Sequence, residues 1–389
     1  MASRSRVERE QARLEAERLL ELGNIELVES RYDEARSCFE EALALFRDHA
    51  DRSGEGKALG KLGTIERSQG RLERASAYHK QAIEIAREIG NKRDEANQLG
   101  NLGVIEQIRG RLEQAIAHHT SALEIAREIG SRRSESIQLG NLGIVHQVQG
   151  KSEQAIAYHK LTLDIARETG DKRTEAIQFG NLVFIYQRQG QLKLAIEHHT
   201  LALDIAREIG SRRSEGIQLG NIGKLHQLQG RLGTAIEHYG QAIEIAKDIG
   251  DKHNEGVHRG NLGEAFFQQG RHDKAETCFR AAVTLCDEAF PLGAGVFRGS
   301  LALLLAQLGR TDEAFAMLAT AVPQIEAFPE EHAKILCKQG EVCLITGDAL
   351  GARAALTKAR AVAAPLVVME GSVLHRALEA LEVRLPPSG

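Results

Sequence analysis

The sequence predicts an all-α solenoid built from helix–turn–helix hairpins, and three observations carry that reading. The first is self-similarity. The stretch 90–130, GNKRDEANQLGNLGVIEQIRGRLEQAIAHHTSALEIAREIG, recurs 40 residues on from Gly130, and again from Gly170 and Gly210. A period between 20 and 50 residues marks a solenoid or a propeller. Units of that size cannot bury a core alone and are stabilised by stacking on their neighbours. The second observation is a pair of helical apolar patterns in every unit. The third is glycine punctuation between them.

Each element follows from its residues. Leu99, Leu102, Ile105 and Ile108 recur at three-residue steps, which places them on one side of a first helix, A. Gly110-Arg111 breaks that pattern. Leu112, Ala115, Ile116, Ala122, Leu123, Ala126 and Ile129 then form the apolar stripe of a second helix, B. Gly130 ends it, as a left-handed C-terminal residue does. Ser131 offers an N-cap oxygen to the next helix, as do Asn91, Asp171, Ser211 and Asp251. Glu95, Glu135, Glu175, Glu215 and Glu255 sit in the first turn, where negative charge suits the helix dipole. Glycines inside helix A (Gly100 and Gly103, and their equivalents) each cost about 0.5–1 kcal/mol relative to alanine. Close approach of another backbone is the expected compensation.

Gly103 is followed by Ala115 at +12 and Ala122 at +19. That triplet of small residues resembles the tetratricopeptide repeat. It runs as Gly23/Ala35/Ala42, Gly63/Ala75/Ala82, Gly103/Ala115/Ala122, Gly143/Ala155/Thr162 and Val183/Ala195/Ala202. It continues as Gly223/Ala235/Ala242, Gly263/Ala275/Ala282, Ala302/Ala314/Ala321 and Gly340/Ala352/Ala359. Nine co-registered triplets make a specific signal. The period is 40 rather than the family's 34, Leu99 stands at the tryptophan position, and the helix-ending proline is absent. The Gly-Asn-Leu-Gly text is similar to the long-repeat branch of Leu-Gly-Asn adaptors and kinesin light chains. The resemblance implies a right-handed superhelical solenoid of about nine hairpins with a concave face of A helices.

In chain order, the first hairpin (roughly 11–49) is degenerate and the second (53–90) is closer to type. Hairpins three to six, 91–250, are near copies: 131–150 and 211–230 share 15 of 20 residues. Recent duplication accounts for that likeness. Phe290-Pro291-Leu292-Gly293 is the clearest break, dividing an array at 1–290 from divergent hairpins and a capping helix at 291–389. The cap is expected at roughly 366–384. The first ten residues and Pro386-Pro387-Ser388-Gly389 are expected to be frayed or disordered.

One constellation stands out as a binding site. Asn101, Asn141, Asn181, Asn221 and Asn261 form a ladder two residues before the small position of helix A. The resemblance places that position on the concave face, where an amide grips the backbone of an extended peptide. A side-chain amide both donates and accepts. The alternative is that each asparagine bonds to a neighbouring repeat and holds the stack. Five hydrogen bonds at about 0.5–1.5 kcal/mol each do not cover an association cost of about 4–15 kcal/mol. The ladder therefore orients a ligand, and adjoining pockets must hold it. Those pockets are expected at Val104, Ile144, Phe184, Lys224 and Glu264, extended by Ile108, Val148, Arg188, Leu228 and Gln268. They grade from apolar to charged, which suits an amphipathic or mixed segment of another protein.

Two further patterns read as structural. His79, His119, His159 and His199 fall one per hairpin, about 8–10 Å apart by helix packing, too far to converge on a metal. They sit where the family packs an aromatic. Lys92-Arg93, Arg132-Arg133, Lys172-Arg173 and Arg212-Arg213 form a basic rim, read as solvated, with a docking stripe as the alternative. Acidic neighbours follow each pair and no aromatic platform accompanies them. With 50 basic and 54 acidic residues, no net field favours nucleic acid.

Enzyme readings fail on chemistry. Gly54 to Lys61 has the wrong spacing for a phosphate loop, with Leu62 where serine or threonine belongs. No metal, cofactor or catalytic set is expected. The five cysteines lack CxxC spacing, the amino terminus lacks an apolar signal core, and no run of 18 apolar residues exists. A cytoplasmic protein without a membrane span is the expectation. The functional expectation is a protein–protein interaction scaffold or adaptor that takes a peptide segment in its groove. A ligand-gated regulator, or the sensor arm of a signalling NTPase or kinase, is the alternative.

Overall fold

The computed structural model describes residues 6–366, 368 and 372–385, and these hold nineteen α-helices and no strand. The chain divides into two compact units, Met1–Gln189 and Gly190–Gly389. Helices of the first are α1 (Arg6–Val28), α2 (Tyr32–Asp48), α3 (Arg52–Ser68), α4 (Leu72–Glu88), α5 (Lys92–Ile108), α6 (Leu112–Glu128), α7 (Arg132–Val148), α8 (Ser152–Thr169) and α9 (Lys172–Arg188). The second holds α10 (Leu192–Glu208), α11 (Arg212–Leu228), α12 (Leu232–Asp248), α13 (Lys252–Gln268), α14 (His272–Ala289), α15 (Pro291–Gln307), α16 (Thr311–Ile325), α17 (Pro329–Ile345), α18 (Ala349–Ala363) and α19 (Val373–Arg384). Odd numbers up to α17 are A helices and even numbers are B helices. Of the first ten residues, expected to be frayed, 6–10 are instead the start of α1; residues 1–5 and 386–389 lie outside the described set.

Local chemistry sets the boundaries. The Asn91, Asp171 and Asp251 side chains each accept the backbone N–H three residues on, at 3.0–3.1 Å, and Ser131 does so at 3.4 Å. Ser211 departs from the expectation: its hydroxyl bonds the Ser214 hydroxyl at 2.8 Å instead of capping the helix. Gly110 and Gly130 take φ of +74° and +65°. The following amides then reach back, Arg111 to the Glu106 carbonyl and Ser131 to the Ala126 carbonyl, each at 2.8 Å. Phe290 alone joins α14 to α15, with Pro291 as the first residue of the new helix, so this junction is tighter than the others.

Within each unit every A helix packs on the B helix that follows, and that B helix on the next A helix. Consecutive A helices also touch: α1 with α3, α3 with α5, α5 with α7 and α7 with α9 in the first unit, and α11 with α13, α13 with α15 and α15 with α17 in the second. No two B helices touch among the described residues. The A helices are therefore the inner layer of each unit. α19 closes the last hairpin by seating Leu381, fully buried, against Gly340 of α17. The cap expected at roughly 366–384 is α19 where the residues are described, at 373–384; residues 367 and 369–371 of that stretch lie outside the described set.

The glycine of helix A makes room for a ring rather than for a backbone. A Cβ on Gly63, Gly103 or Gly143 would stand 2.5–2.7 Å from the ring of His79, His119 or His159 on the partner B helix. Phe39, Tyr239 and Phe279 meet Gly23, Gly223 and Gly263 in the same way. The alanines at +12 and +19 are buried throughout.

The histidine rings also tie hairpins together. Nδ1–H donates to the side-chain oxygen of a glutamine on the next A helix: His79 to Gln98 at 2.8 Å, His119 to Gln138 at 2.9 Å, His159 to Gln178 at 2.9 Å and His199 to Gln218 at 2.7 Å. In the first three, Nε2 is buried with no partner among the described residues. Burial without an acceptor disfavours the cation. It pushes His79 down to about 4, and it also lowers His119, His159 and His199.

Candidate functional site

The outer rim is built from ion pairs. Glu95, Glu135, Glu175 and Glu215 each accept from the arginine that ends the preceding B helix, Arg87, Arg127, Arg167 and Arg207, at 2.7–3.0 Å. Arg132 and Arg212, first members of their basic pairs, add 2.8 and 2.6 Å contacts to Glu135 and Glu215. They then reach Glu168 and Asp248 in the following B helix. Burial raises the Glu135 pKa, but the Arg127 and Arg132 guanidiniums outweigh it and hold the carboxyl below its usual range. Half of the basic rim is thus a clasp between hairpins. Arg93, Arg133, Arg173 and Arg213 project outward, and Arg213 meets Asp251 at 3.0 Å.

The inner A-helix face differs in kind. In the first unit Asn101, Asn141 and Asn181 are half-buried on α5, α7 and α9. Their helical neighbours at −4, +3 and +7 share the face. Val104 and Ile144 are half-buried, and Phe184 is 46% exposed beneath the Arg188 guanidinium, 5.8 Å from the ring centroid. Ile137 and Ile177, at the −4 position and not anticipated, are each at least half exposed. Ile108 and Val148 extend the stripe and are also exposed.

In the second unit Asn221 is exposed and Asn261 half-buried, on α11 and α13. Here the +3 position is charged. Glu264 accepts from the Ser300 hydroxyl, which in turn receives the Lys338 ammonium at 2.6 Å; Lys338 lies 3.6 Å from Glu264. Ser300 and Lys338 hold the ladder position on α15 and α17, so the ladder continues there as a hydroxyl and an ammonium. Lys224 is exposed yet crowded within this face. Loss of hydration lowers its pKa, Glu264 opposes that, and Lys338 and Lys334 reinforce it.

Apart from Asn181, whose Nδ2 is 3.5 Å from Gln178 in the same helix, no ladder asparagine makes a side-chain hydrogen bond among the described residues. Bonds across the stack come instead from the glutamines three residues earlier. Sequence reasoning passed over these. The signal was a covariation at +19 inside the chain. Histidine at 79, 119, 159 and 199 is paired with glutamine at 98, 138, 178 and 218, while Phe39, Tyr239 and Phe279 are paired in register with Ala58, His258 and Phe297.

No group of three or more His, Cys, Asp or Glu side chains could hold a metal ion among the described residues. No described helix is long and apolar enough to cross a membrane. The stretch Gly54 to Lys61 lies inside α3, so it is not a loop.

Family models described as Tetratricopeptide repeat match residues 15–88, 94–168, 173–248 and 215–288, and a second such model matches 295–320. A search of curated protein sequences finds no match. Among solved structures, the chain is similar to the apo form of RapI, with TM-score 0.66, 13% identity, and 91% of this chain and 99% of that one covered. It is also similar to a Signal Transduction ATPase with Numerous Domains carrying a tetratricopeptide repeat sensor, from Pyrococcus horikoshii, with TM-score 0.58, 15% identity, and 89% and 55% covered. A third similar structure is the apo form of the quorum sensor NprR from B. thuringiensis, with TM-score 0.56, 14% identity, and 89% and 98% covered. At these identities the likeness concerns the fold. Matched over most of its length by the family's own models, this chain belongs to the tetratricopeptide repeat family.

Proposed function

We propose that the chain is a non-catalytic interaction module that takes a peptide segment of another protein on its A-helix face. One observation carries this reading. The structural polar side chains of the array are bonded to one another, whereas the ladder asparagines on the A helices leave their amides unspent across the stack. Exposed Ile137, Ile177 and Phe184 flank them. An amide beside exposed apolar side chains matches a peptide, which offers a backbone amide and a side chain at each residue. Asn101, Asn141 and Asn181 orient the main chain in the first unit, and Val104, Ile144 and Phe184, with Arg188 at the edge, take side chains. Asn221, Asn261, Lys224 and Glu264 offer a more polar A-helix face in the second unit. Repeat proteins of this architecture commonly bind through such extended inner surfaces.

The test is selection from a random peptide library displayed on phage, against the wild type and a variant with Asn→Ala at 101, 141 and 181. Peptides that enrich on the wild type and lose at least tenfold in affinity on an equally stable variant are the expected result. No enrichment, or equal binding to both, refutes the assignment. A second reading, a ligand-gated regulator, draws on the printed roles of two similar structures, a quorum sensor and the sensor of a signalling ATPase. It adds one expectation: the selected peptide changes the radius of gyration in small-angle scattering.

A further inference from the structure

A cavity of about 460 Å³ opens in the second unit, between α11, α15, the end of α16, α17 and the capping helix α19. That volume is within the range of small-molecule sites. Val296, Leu303, Ile325, Ile335 and Val373 supply apolar wall. Five charged side chains also line it, and four have counterparts. Lys334 pairs with Glu330 and with Glu331 at 2.7 and 2.8 Å. Lys338 is held by Ser300 and Glu264, and Glu341 faces Arg384 at 3.5 Å. Lys224 is the remainder. Among the described residues no hydrogen bond or ion pair reaches its Nζ, and its only attraction is at longer range, to Glu264.

The Lys224 side chain is exposed at the cavity mouth, where partial loss of hydration lowers its pKa and Glu264 opposes that shift without pairing with it. One unneutralised cation beside an apolar wall defines a ligand by complementarity: one negative charge on an apolar body. Two or more negative charges are disfavoured by Glu264, Glu331 and Glu341 around the same space.

We infer that this cavity is a binding site for an apolar monocarboxylate, with its carboxylate on Lys224 and its hydrocarbon against Val296, Leu303 and Ile335. A free small acid and the apolar carboxyl-terminal residue of a peptide share that chemistry. The site stands independently of peptide recognition in the first unit.

Calorimetric titration of the full chain tests it, with octanoate, 1-octanol, and a leucine-ended peptide in free-acid and amidated forms. Octanoate or the free-acid peptide binds, and the neutral analogue of the one that binds is at least tenfold weaker. Lys224→Met keeps the apolar stem, melts no lower than the wild type and loses at least tenfold in affinity. The Asn101/Asn141/Asn181→Ala variant binds as the wild type does. Binding of octanoate alone identifies a small free acid, and binding of the peptide alone identifies a chain end. If neither binds, if octanol equals octanoate, or if Lys224→Met binds unchanged, the inference is overturned.

Discussion

Mild acid should loosen the array through the His–Gln ties. His79 is fully buried, bonded to Gln98 through Nδ1 and unpartnered at Nε2. Its folded pKa of about 4 lies below an unfolded value of about 6.5. The sign follows. A depressed histidine pKa means that the unfolded chain binds the proton better. The stabilisation is complete above pH 6.5 and is lost as pH falls toward 4. Integrated between pH 7 and 5, that shift amounts to about 2 kcal/mol for His79 alone. His119 and His159 are lowered in the same direction. Carboxylates such as Glu135, held below their usual range, lose their contribution only at lower pH. The window from 7 to 5 therefore isolates the histidines. The first hairpin supplies its own control, because Phe39 sits on Gly23 as His119 sits on Gly103, with Ala58 in place of the glutamine. Replacing 79/98, 119/138 and 159/178 with Phe/Ala keeps the ring and removes the titration. Urea midpoints followed by circular dichroism at 222 nm are the assay. The wild-type midpoint drops between pH 7 and 5, and the swapped variant drops less, keeping only the loss carried by His118, His146, His199, His226 and His258. An equal drop in both proteins refutes the argument.

Three other outcomes are expected from the same measurement at pH 7. Gly103→Ala drives a Cβ to within 2.5 Å of the His119 ring and costs about 1–3 kcal/mol, whereas Gly180→Ala meets open space and gains about 0.5–1 kcal/mol. Glu135→Gln breaks the contacts to Arg127 and Arg132 and costs about 1–2 kcal/mol, an effect that shrinks in 1 M salt. Asn→Ala at 101 and 141 changes stability by no more than about 0.5 kcal/mol per site, since neither amide bonds across the stack.

The hairpins were legible because their determinants are local. Glycine at positive φ, an N-cap side chain and a helical apolar stripe can each be read within twenty residues. Long-range partners were not. That Gly103 faces a ring, that Gln138 receives a histidine and that Arg132 clasps Glu168 depend on which helix faces are apposed. Ser211 could not be separated from Ser131 by sequence, because each bonds the hydroxyl of a serine three residues on, at 2.8 and 3.0 Å, and only Ser131 also keeps a long 3.4 Å cap. On the inner face, Asn101, Val104 and Phe184 followed from register alone. Lys224 and Glu264 followed from the same register, but the contacts that join Glu264 to Ser300 and Lys338 did not, because they link three A helices and the repeat has drifted to 39 and 38 residues by then.

Photo-crosslinking of a selected peptide tests the central claim most directly. Benzoyl-phenylalanine is placed at 144 and 184 on the A-helix face, and at 124 and 164, exposed positions on B helices. The account predicts adducts to the peptide from 144 and 184 and none from 124 or 164. Adducts from the B-helix positions alone, or equally from all four, would contradict it.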